Sequence, residues 1–347
     1  MDSCLPASAK ERAINMASKL RTPLGRPRKA MTLAAMGLAG MGLLGSLLVT
    51  SAGEASAANH QPQSSVNGNV AEARAVIASE KAAPASMIPA GSPMAAIKKQ
   101  GYLIYGGALD APLLSQENPA NGDVEGFDAD MGKLLAKYIT GKPDIKVVSA
   151  ETTTREALLE NHTVNVVLET YTITAERARV VNFAGPYLAD GVSIAVKKGV
   201  KNIVSFANLA GKTVIAGADT PAIPLIEKMA PTAKIITFAT DPDCIQALID
   251  GRGAAYVQDY VTLAGDAVAG EPISIVGRQV NDGYLGIGVP KNQPTMVTFV
   301  NNWLKLIEKN GQWAGIWKAT FGTVEAGGAP TPPTVGTVPG VPSSLLG

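Results

Sequence analysis

Between about Met94 and Val324, short apolar runs alternate with segments of helical periodicity. The first series places strands at Tyr102–Tyr105, Ile145–Val148 and Val164–Leu168, with helices over Asp128–Tyr138 and Thr154–Glu160 between them. A second series repeats the order, with strands at Thr213–Ala216, Ala233–Phe238 and Ala255–Val257 and helices over Pro221–Met229 and Asp241–Asp250. Brief apolar runs separated by helices are the grammar of parallel sheets, because parallel strands need a long crossover between them. The pattern therefore predicts an α/β protein in which each series builds its own lobe. Both series also contain a helix, a turn, a short strand and a polar exit, over Leu158–Thr172 and Ala247–Asp259. In open α/β sheets, ligands bind beyond the carboxyl ends of the strands, so both lobes are expected to offer polar groups from equivalent edges.

The two ends of the chain have a different character. No charge falls between Lys29 and Glu54, the run Ala30–Val49 is apolar, a basic cluster (Arg26, Arg28, Lys29) precedes it and Ala55-Ser56-Ala57 follows. That is the order of a secretory signal, which predicts a signal peptide over 1–57 and a location outside the cytoplasm, cell-surface associated or secreted. An uncleaved anchor is the alternative, since the uncharged stretch is long enough to span a bilayer. No cysteine follows the apolar run and no adjacent arginines precede it, so neither a lipoprotein anchor nor twin-arginine export is supported. Residues 58–93, rich in Ala, Ser, Pro, Asn and Gln, are expected to form a flexible linker, with a short helix possible around Val70–Lys81. The 22 residues from Ala326 hold five Pro, five Gly and no charge, and 325–347 is expected to be a disordered tail.

Composition narrows the function. Among 347 residues, 30 Lys and Arg stand against 29 Asp and Glu, and the first 57 residues take seven of the basic and three of the acidic ones. The rest has no basic field for nucleic acid. Two cysteines, Cys4 and Cys244, build no disulfide framework, and Cys244 is expected to be a buried thiol. With only His60 and His162, neither a zinc site nor a Ser-His-Asp triad is expected, and no cofactor or metal is called for.

Four segments in order resemble the bacterial extracellular solute-binding proteins of the polar amino-acid type (family 3), partners of ABC importers. They are Gly126-Phe127-Asp128-Ala129-Asp130; Thr172-Ile173-Thr174-Ala175-Glu176-Arg177 followed by Val181-Asn182-Phe183 and Pro186-Tyr187; Leu209-Ala210-Gly211-Lys212-Thr213-Val214; and Gly311-Gln312-Trp313 through Phe321-Gly322. The sub-pattern of Thr170-Tyr171-Thr172, Phe183–Leu188 and Asp219–Ala222 is most similar to actinobacterial glutamate-binding members. The resemblance implies a monomeric two-lobed clamp of the periplasmic-binding-protein type, with hinge crossings near Pro186–Gly191 and Asn281–Gly286. Lobe 1 would comprise 94–188 and 287–324, and lobe 2 189–286. The implied function is capture of glutamate or a related polar amino acid by lobe closure and its delivery to the membrane subunits of an importer.

A zwitterion entering a closed cleft loses its hydration, so its carboxylate needs strong donors and its ammonium needs acceptors. The family motif puts Arg177 on the carboxylate, with Thr172 and groups near Thr170, and Asp259 on the ammonium. Asp259 also suits a plain helix N-cap. Thr220-Pro221 suits a helix start whose free amides would meet the carboxylate. By the same resemblance, Arg155 stands where glutamate-type members carry an Arg and is the candidate for a side-chain carboxylate, against a solvated first-turn role, and Asp110 follows the first strand where family members put ligand-facing polar residues. Phe127 and the three tryptophans read as core. Two alternatives remain, a prephenate or arogenate dehydratase on the same fold and a ligand-sensing module.

Overall fold

The computed structural model describes residues 67–325 and 327–346. The expected signal peptide and the first part of the expected linker lie outside the described residues.

The chain runs α1 (Val70–Ser79), α2 (Pro93–Gln100), β1 (Leu103–Gly107), a meander of β2 (Asp110–Ala111), β3 (Ser115–Glu117) and β4 (Val124–Glu125), then α3 (Phe127–Thr140), β5 (Ile145–Ser149), α4 (Arg155–Glu160), β6 (Val166–Val167) and α5 (Arg177–Val180). The long strand β7 (Asn182–Lys197) leads to β8 (Thr213–Gly217), α6 (Ala222–Met229), β9 (Lys234–Phe238), α7 (Asp241–Ile249), β10 (Ala255–Asp259) and α8 (Tyr260–Ala269). A second long strand, β11 (Ile273–Val289), returns the chain to α9 (Pro294–Lys309) and α10 (Gln312–Ala319).

The main sheet has the order β5-β1-β6-β11-β7-β10-β8-β9. Strands β5, β1 and β6 are parallel to one another, as are β10, β8 and β9, so each end of the sheet is one of the two expected parallel layers. Between them β7 and β11 pair antiparallel along almost their whole length, with register shifts between Val276 and Val280, Val280 and Asp282, and Leu285 and Ile287. Both expected crossings fall inside these two strands. The result is a two-lobed α/β clamp whose hinge is a two-stranded ribbon.

Several motif residues turn out to be braces for the first lobe. Phe127 lies 6.2 Å from the Tyr187 ring, 5.9 Å edge-on from Trp313 and 5.9 Å from Phe321. Trp313 Nε1 donates to the Tyr187 carbonyl at 2.8 Å, which satisfies the indole in a buried setting. Segments far apart in the chain thus meet in one aromatic cluster. Trp303 and Trp317 are core as well, and Cys244 is a buried free thiol.

Two expectations change. The segment expected to be a linker carries α1, whose Ala73 and Ile77 enter the first lobe's core. Its helix is capped by Asn69, whose side chain accepts from Glu72 N at 3.2 Å, and it packs so close to α10 that a Cβ at Gly315 would stand 2.9 Å from Val76 Cγ2. The short helix allowed for around Val70–Lys81 thus forms, and its apolar residues at i and i+4 share the face that docks on the lobe, so this part of the segment is no linker. The expected disordered tail is likewise a strap. Val335 joins the core beside α9 and α10, Val338 and Leu346 join the cluster on the other side of the first lobe, and Gly336 N donates to the Gly185 carbonyl at 2.7 Å. Around Gly185, β7 has no strand on its outer side, and the strap covers that edge. Burying a Val or Leu side chain contributes about 1.5–3 kcal/mol, offset in part by ordering the strap. Removal of residues 327–347 is therefore expected to destabilise the protein by about 2–4 kcal/mol, read as a lower thermal midpoint; an unchanged midpoint would show that the strap adds no stability.

Candidate functional site

The carboxyl ends of the parallel strands converge on a cavity between the lobes, with an empty volume of about 710 Å³ including its mouth. Six of the seven expected site residues, Asp110, Arg155, Thr170, Thr172, Thr220 and Asp259, line it. Arg177 does not. It stands at an adjoining opening that shares Thr220 and Pro221 with the cavity.

The first lobe's wall is held by Asp128 at the start of α3, a residue that the sequence showed only as part of a motif. Its Oδ2 accepts from Thr170 N at 2.9 Å and its Oδ1 accepts from the Tyr187 hydroxyl at 2.8 Å. Thr170 has a φ of 40°, a left-handed conformation that costs a β-branched residue energy, and the Asp128 contact holds it there. Glycine at 126 is required at the turn into α3, because φ is 122° and a Cβ would lie 2.6 Å from the Leu114 carbonyl. Burial pushes the Asp128 carboxyl up to about 6 against these two hydrogen bonds.

Both arginines lie against Tyr171, the Arg155 guanidinium 4.1 Å and that of Arg177 5.2 Å from the ring centroid. Arg155 opens α4, is 2% exposed, and donates through Nη1 to Glu169 Oε2 at 2.5 Å and to the Glu169 carbonyl at 2.9 Å. The solvated role for Arg155 is thereby excluded. Its Nε is buried without a hydrogen-bond partner. Thr174 Oγ1 accepts from Arg177 N at 3.2 Å and sets the turn that presents the Arg177 side chain. Nη1 of Arg177 donates to the Thr172 carbonyl at 2.9 Å, and Nη2 reaches across to the Asp219 carbonyl of the second lobe at 2.5 Å. Burial and the neighbouring Arg155 lower the Arg177 pKa to about 10, which still leaves the guanidinium charged at neutral pH.

In the second lobe, α6 has Pro221 at its N-cap position, and the Thr220 hydroxyl donates back to the Gly217 carbonyl at 2.8 Å. Thr220 thus lines the cavity without capping the helix through its side chain. Asp259 occupies the N-cap position of α8 but makes no capping hydrogen bond. That duty passes to Asp190 in the β7 crossing, whose Oδ2 accepts from Val261 N at 3.2 Å. Asp259 remains a buried carboxylate lining the cavity; burial raises its pKa to about 6, while Arg177 and Arg155 pull it down. Tyr256, Gln258 and Asp241 complete this wall. The sequence signal for them was weak, since Tyr256 and Gln258 lie on one strand face that only the sheet register aims at the cavity. Among the described residues no cluster suited to a metal ion is found. His162 sits in an exposed turn with a φ of 54° and does not line the cavity.

Comparison with known proteins agrees with this geometry. Residues 103–323 match the model of the bacterial extracellular solute-binding proteins, family 3. The ABC transporter glutamine-binding protein GlnH of Bacillus subtilis is 34% identical over 229 residues, covering 65% of this chain and 83% of that protein. The glutamate-binding protein GluB of Corynebacterium glutamicum is 26% identical over 242 residues, covering 66% and 81%. Among solved structures, the solute receptor for L-cysteine of Neisseria gonorrhoeae superposes with a TM-score of 0.61 at 28% identity, covering 65% of this chain and 92% of that one. An ancestral amino acid-binding protein, AncCDT-1, described as a precursor of cyclohexadienyl dehydratase, gives 0.59 at 30% identity, covering 67% and 100%. With the two-lobed fold, the inter-lobe cavity and a family match across most of the folded chain, this protein belongs to the bacterial extracellular solute-binding proteins, family 3.

Proposed function

We propose that the chain captures a polar amino acid outside the cytoplasm, closes its lobes on it, and delivers it to the membrane subunits of an ABC importer. The observation that carries this reading is Asp259. A carboxylate buried at a helix start, relieved of capping by Asp190, is an acceptor kept for something else, and an α-ammonium is the group that suits it. The α-carboxylate would lie on the opposite side of the same centre, toward Thr172, Thr220 and the Arg177 guanidinium, whose Nη1 and Nη2 each give one N–H to the Thr172 and Asp219 carbonyls and whose Nε lies 3.6 Å from Glu156 Oε1, so that two of its five N–H groups are left over. Ligand contacts to both lobes favour the closed arrangement over the open one, and closure is what an importer can read. Of the similar proteins named above, one is described by glutamine, one by glutamate and one by L-cysteine. Arg155, the residue offered for a side-chain carboxylate, is already matched by Glu169, which argues against glutamate.

The test is calorimetric titration of ligand-free protein with the twenty amino acids, and prephenate as the enzyme control. Binding of a polar amino acid at micromolar or tighter affinity is expected; turnover of prephenate without amino-acid binding would replace this reading with the dehydratase one. A pH series refines it. With a pKa raised to about 6, Asp259 is ionised above that value and protonated below it. An ammonium ligand needs the ionised form, so affinity is expected to be constant above about pH 7 and to fall roughly tenfold between pH 7 and pH 5. In Asp259→Asn that dependence should vanish along with most of the affinity. A wild-type profile in the variant would remove Asp259 from the site.

A further inference from the structure

The charges around the cavity suit one kind of ligand side chain. Six carboxyl groups line it, those of Asp110, Asp128, Glu151, Glu169, Asp241 and Asp259, and among the described residues Arg155 is the one cationic side chain that does so. Arg155 is neutralised by Glu169, and Asp128 accepts from Thr170 N and the Tyr187 hydroxyl. Asp259 is accounted for by the ligand ammonium in the reading above. Glu151 accepts from the Ser149 hydroxyl at 3.1 Å, in a turn on the first lobe. Asp110, Glu151 and Asp241 take part in no ion pair among the described residues, and of these Asp110 from the first lobe and Asp241 from the second stand on opposite sides of the cavity.

Asp241 is held in place by the cavity wall itself. Asp259 N donates to Gln258 Oε1 at 2.9 Å, Gln258 Nε2 donates to the Tyr256 hydroxyl at 2.9 Å, and that hydroxyl donates to Asp241 Oδ1 at 2.5 Å. The tyrosine proton is thereby committed to Asp241, and the wall running from Asp259 to Asp241 is ordered before any ligand arrives. Behind it lies Asp266, 4% exposed, with an Oδ2 that has no hydrogen-bond partner. Burial and the Asp241 charge push Asp266 up to about 10, so it stays protonated at neutral pH, while burial also raises Asp241 against the hydrogen bond from the Tyr256 hydroxyl that favours its charged form. The Asp110 charge adds to burial in raising Asp241.

Asp110, exposed at the cavity mouth, and Asp241 line the cavity from opposite lobes, so lobe closure narrows the space between two like charges, which repel. A group with N–H donors between them turns the repulsion into charge-assisted hydrogen bonds to both lobes. A side-chain carboxylate would instead add a third negative charge. We propose that Asp110 and Asp241 jointly receive the end of the ligand's side chain, and that this end carries N–H donors, on an amide or a cationic nitrogen, rather than a carboxylate. The inference rests on the amino-acid-binding role proposed above. It also makes closure conditional on the ligand, since the opposed charges resist closing without a donor between them.

The test uses purified protein freed of ligand by unfolding and refolding, titrated at pH 7.5 with glutamine, arginine, lysine, glutamate and aspartate. At least one of the first three is expected to bind 100-fold or more tightly than glutamate, and the order among glutamine, arginine and lysine tells amide from cation. Asp110→Asn and Asp241→Asn, near-isosteric changes whose folding is checked by thermal melting, should each shrink that preference at least tenfold, with glutamate gaining affinity. Glutamate or aspartate binding as well as, or better than, the donor-bearing amino acids in the wild type would overturn the proposal while upholding the transport role. Failure of every amino acid to bind would overturn the transport role itself, and this proposal with it. Because the wild-type panel decides the main question, a variant that fails to fold does not protect the proposal.

Discussion

Replacing Arg177 with alanine is expected to weaken amino-acid binding by at least 100-fold while the protein remains folded. Two physical losses combine. The guanidinium, rooted in the first lobe, donates to the Asp219 carbonyl of the second, so its removal takes away a direct tie between the closed lobes. It also takes away the charged donor proposed for the ligand carboxylate, and charge-assisted hydrogen bonds contribute roughly 1.5–3 kcal/mol each. A loss of about 3 kcal/mol is already more than 100-fold in affinity. Arg177→Lys should recover little, because one ammonium cannot serve the Thr172 and Asp219 carbonyls and a carboxylate with the geometry of the planar fork. Calorimetric titration of both variants settles the point: wild-type affinity in the alanine variant would exclude Arg177 from binding and from closure.

Gly265→Ala is expected to weaken ligand binding at least tenfold through closure alone, without touching the ligand. Gly265 is in the middle of α8, on the second lobe, and a Cβ there would stand 2.3 Å from the carbonyl oxygen of Pro112 in the first lobe's meander. The collision is with backbone, so no rotation of a side chain relieves it, and the lobes must stay apart by the width of a methyl group. Within the helix itself the change is favourable, since alanine is better than glycine by about 1 kcal/mol in a helix interior. The ligand-free protein should therefore melt at the same temperature or higher, while the added stability conferred by ligand shrinks. Thermal melting with and without ligand, together with titration, reads both effects. Undiminished ligand stabilisation in Gly265→Ala would mean that α8 and the Pro112 segment need not approach this closely for binding.

Hydrophobic periodicity made most of the α/β frame visible. The strands of both parallel layers and the helices between them carry their signal locally, in runs of four or five apolar residues and in amphipathic repeats. The two long strands were invisible for a physical reason. Strand β7 contains Gly185-Pro186 and Asp190-Gly191, residues that mark breaks when read locally, and only pairing with β11 keeps such a stretch extended across both lobes. The strap was hidden by composition, since proline, glycine and the absence of charge describe a disordered tail equally well until a groove of the right shape is present for Val335 and Val338.

The candidate site divides in the same way. Residue type and motif singled out Thr172, Arg177 and Asp259, because a buried zwitterion requires a cation and an anion and few such residues stand at strand exits. Whether Asp259 caps its own helix was not decidable from its neighbours: the answer depended on Asp190, 69 positions earlier in the chain, which the hinge ribbon carries to the start of α8. Arg155 read as free for a ligand until Glu169 was found beside it. The sequence by itself determined the class of fold, the family and the chemical kinds of group at the cleft, because apolar spacing and side-chain chemistry are properties of short segments. Only the tertiary structure decided which charges are already matched, which carboxylates of the two lobes line one cavity, and where the lobes touch, because each of these depends on two or more groups that the chain brings together from a distance.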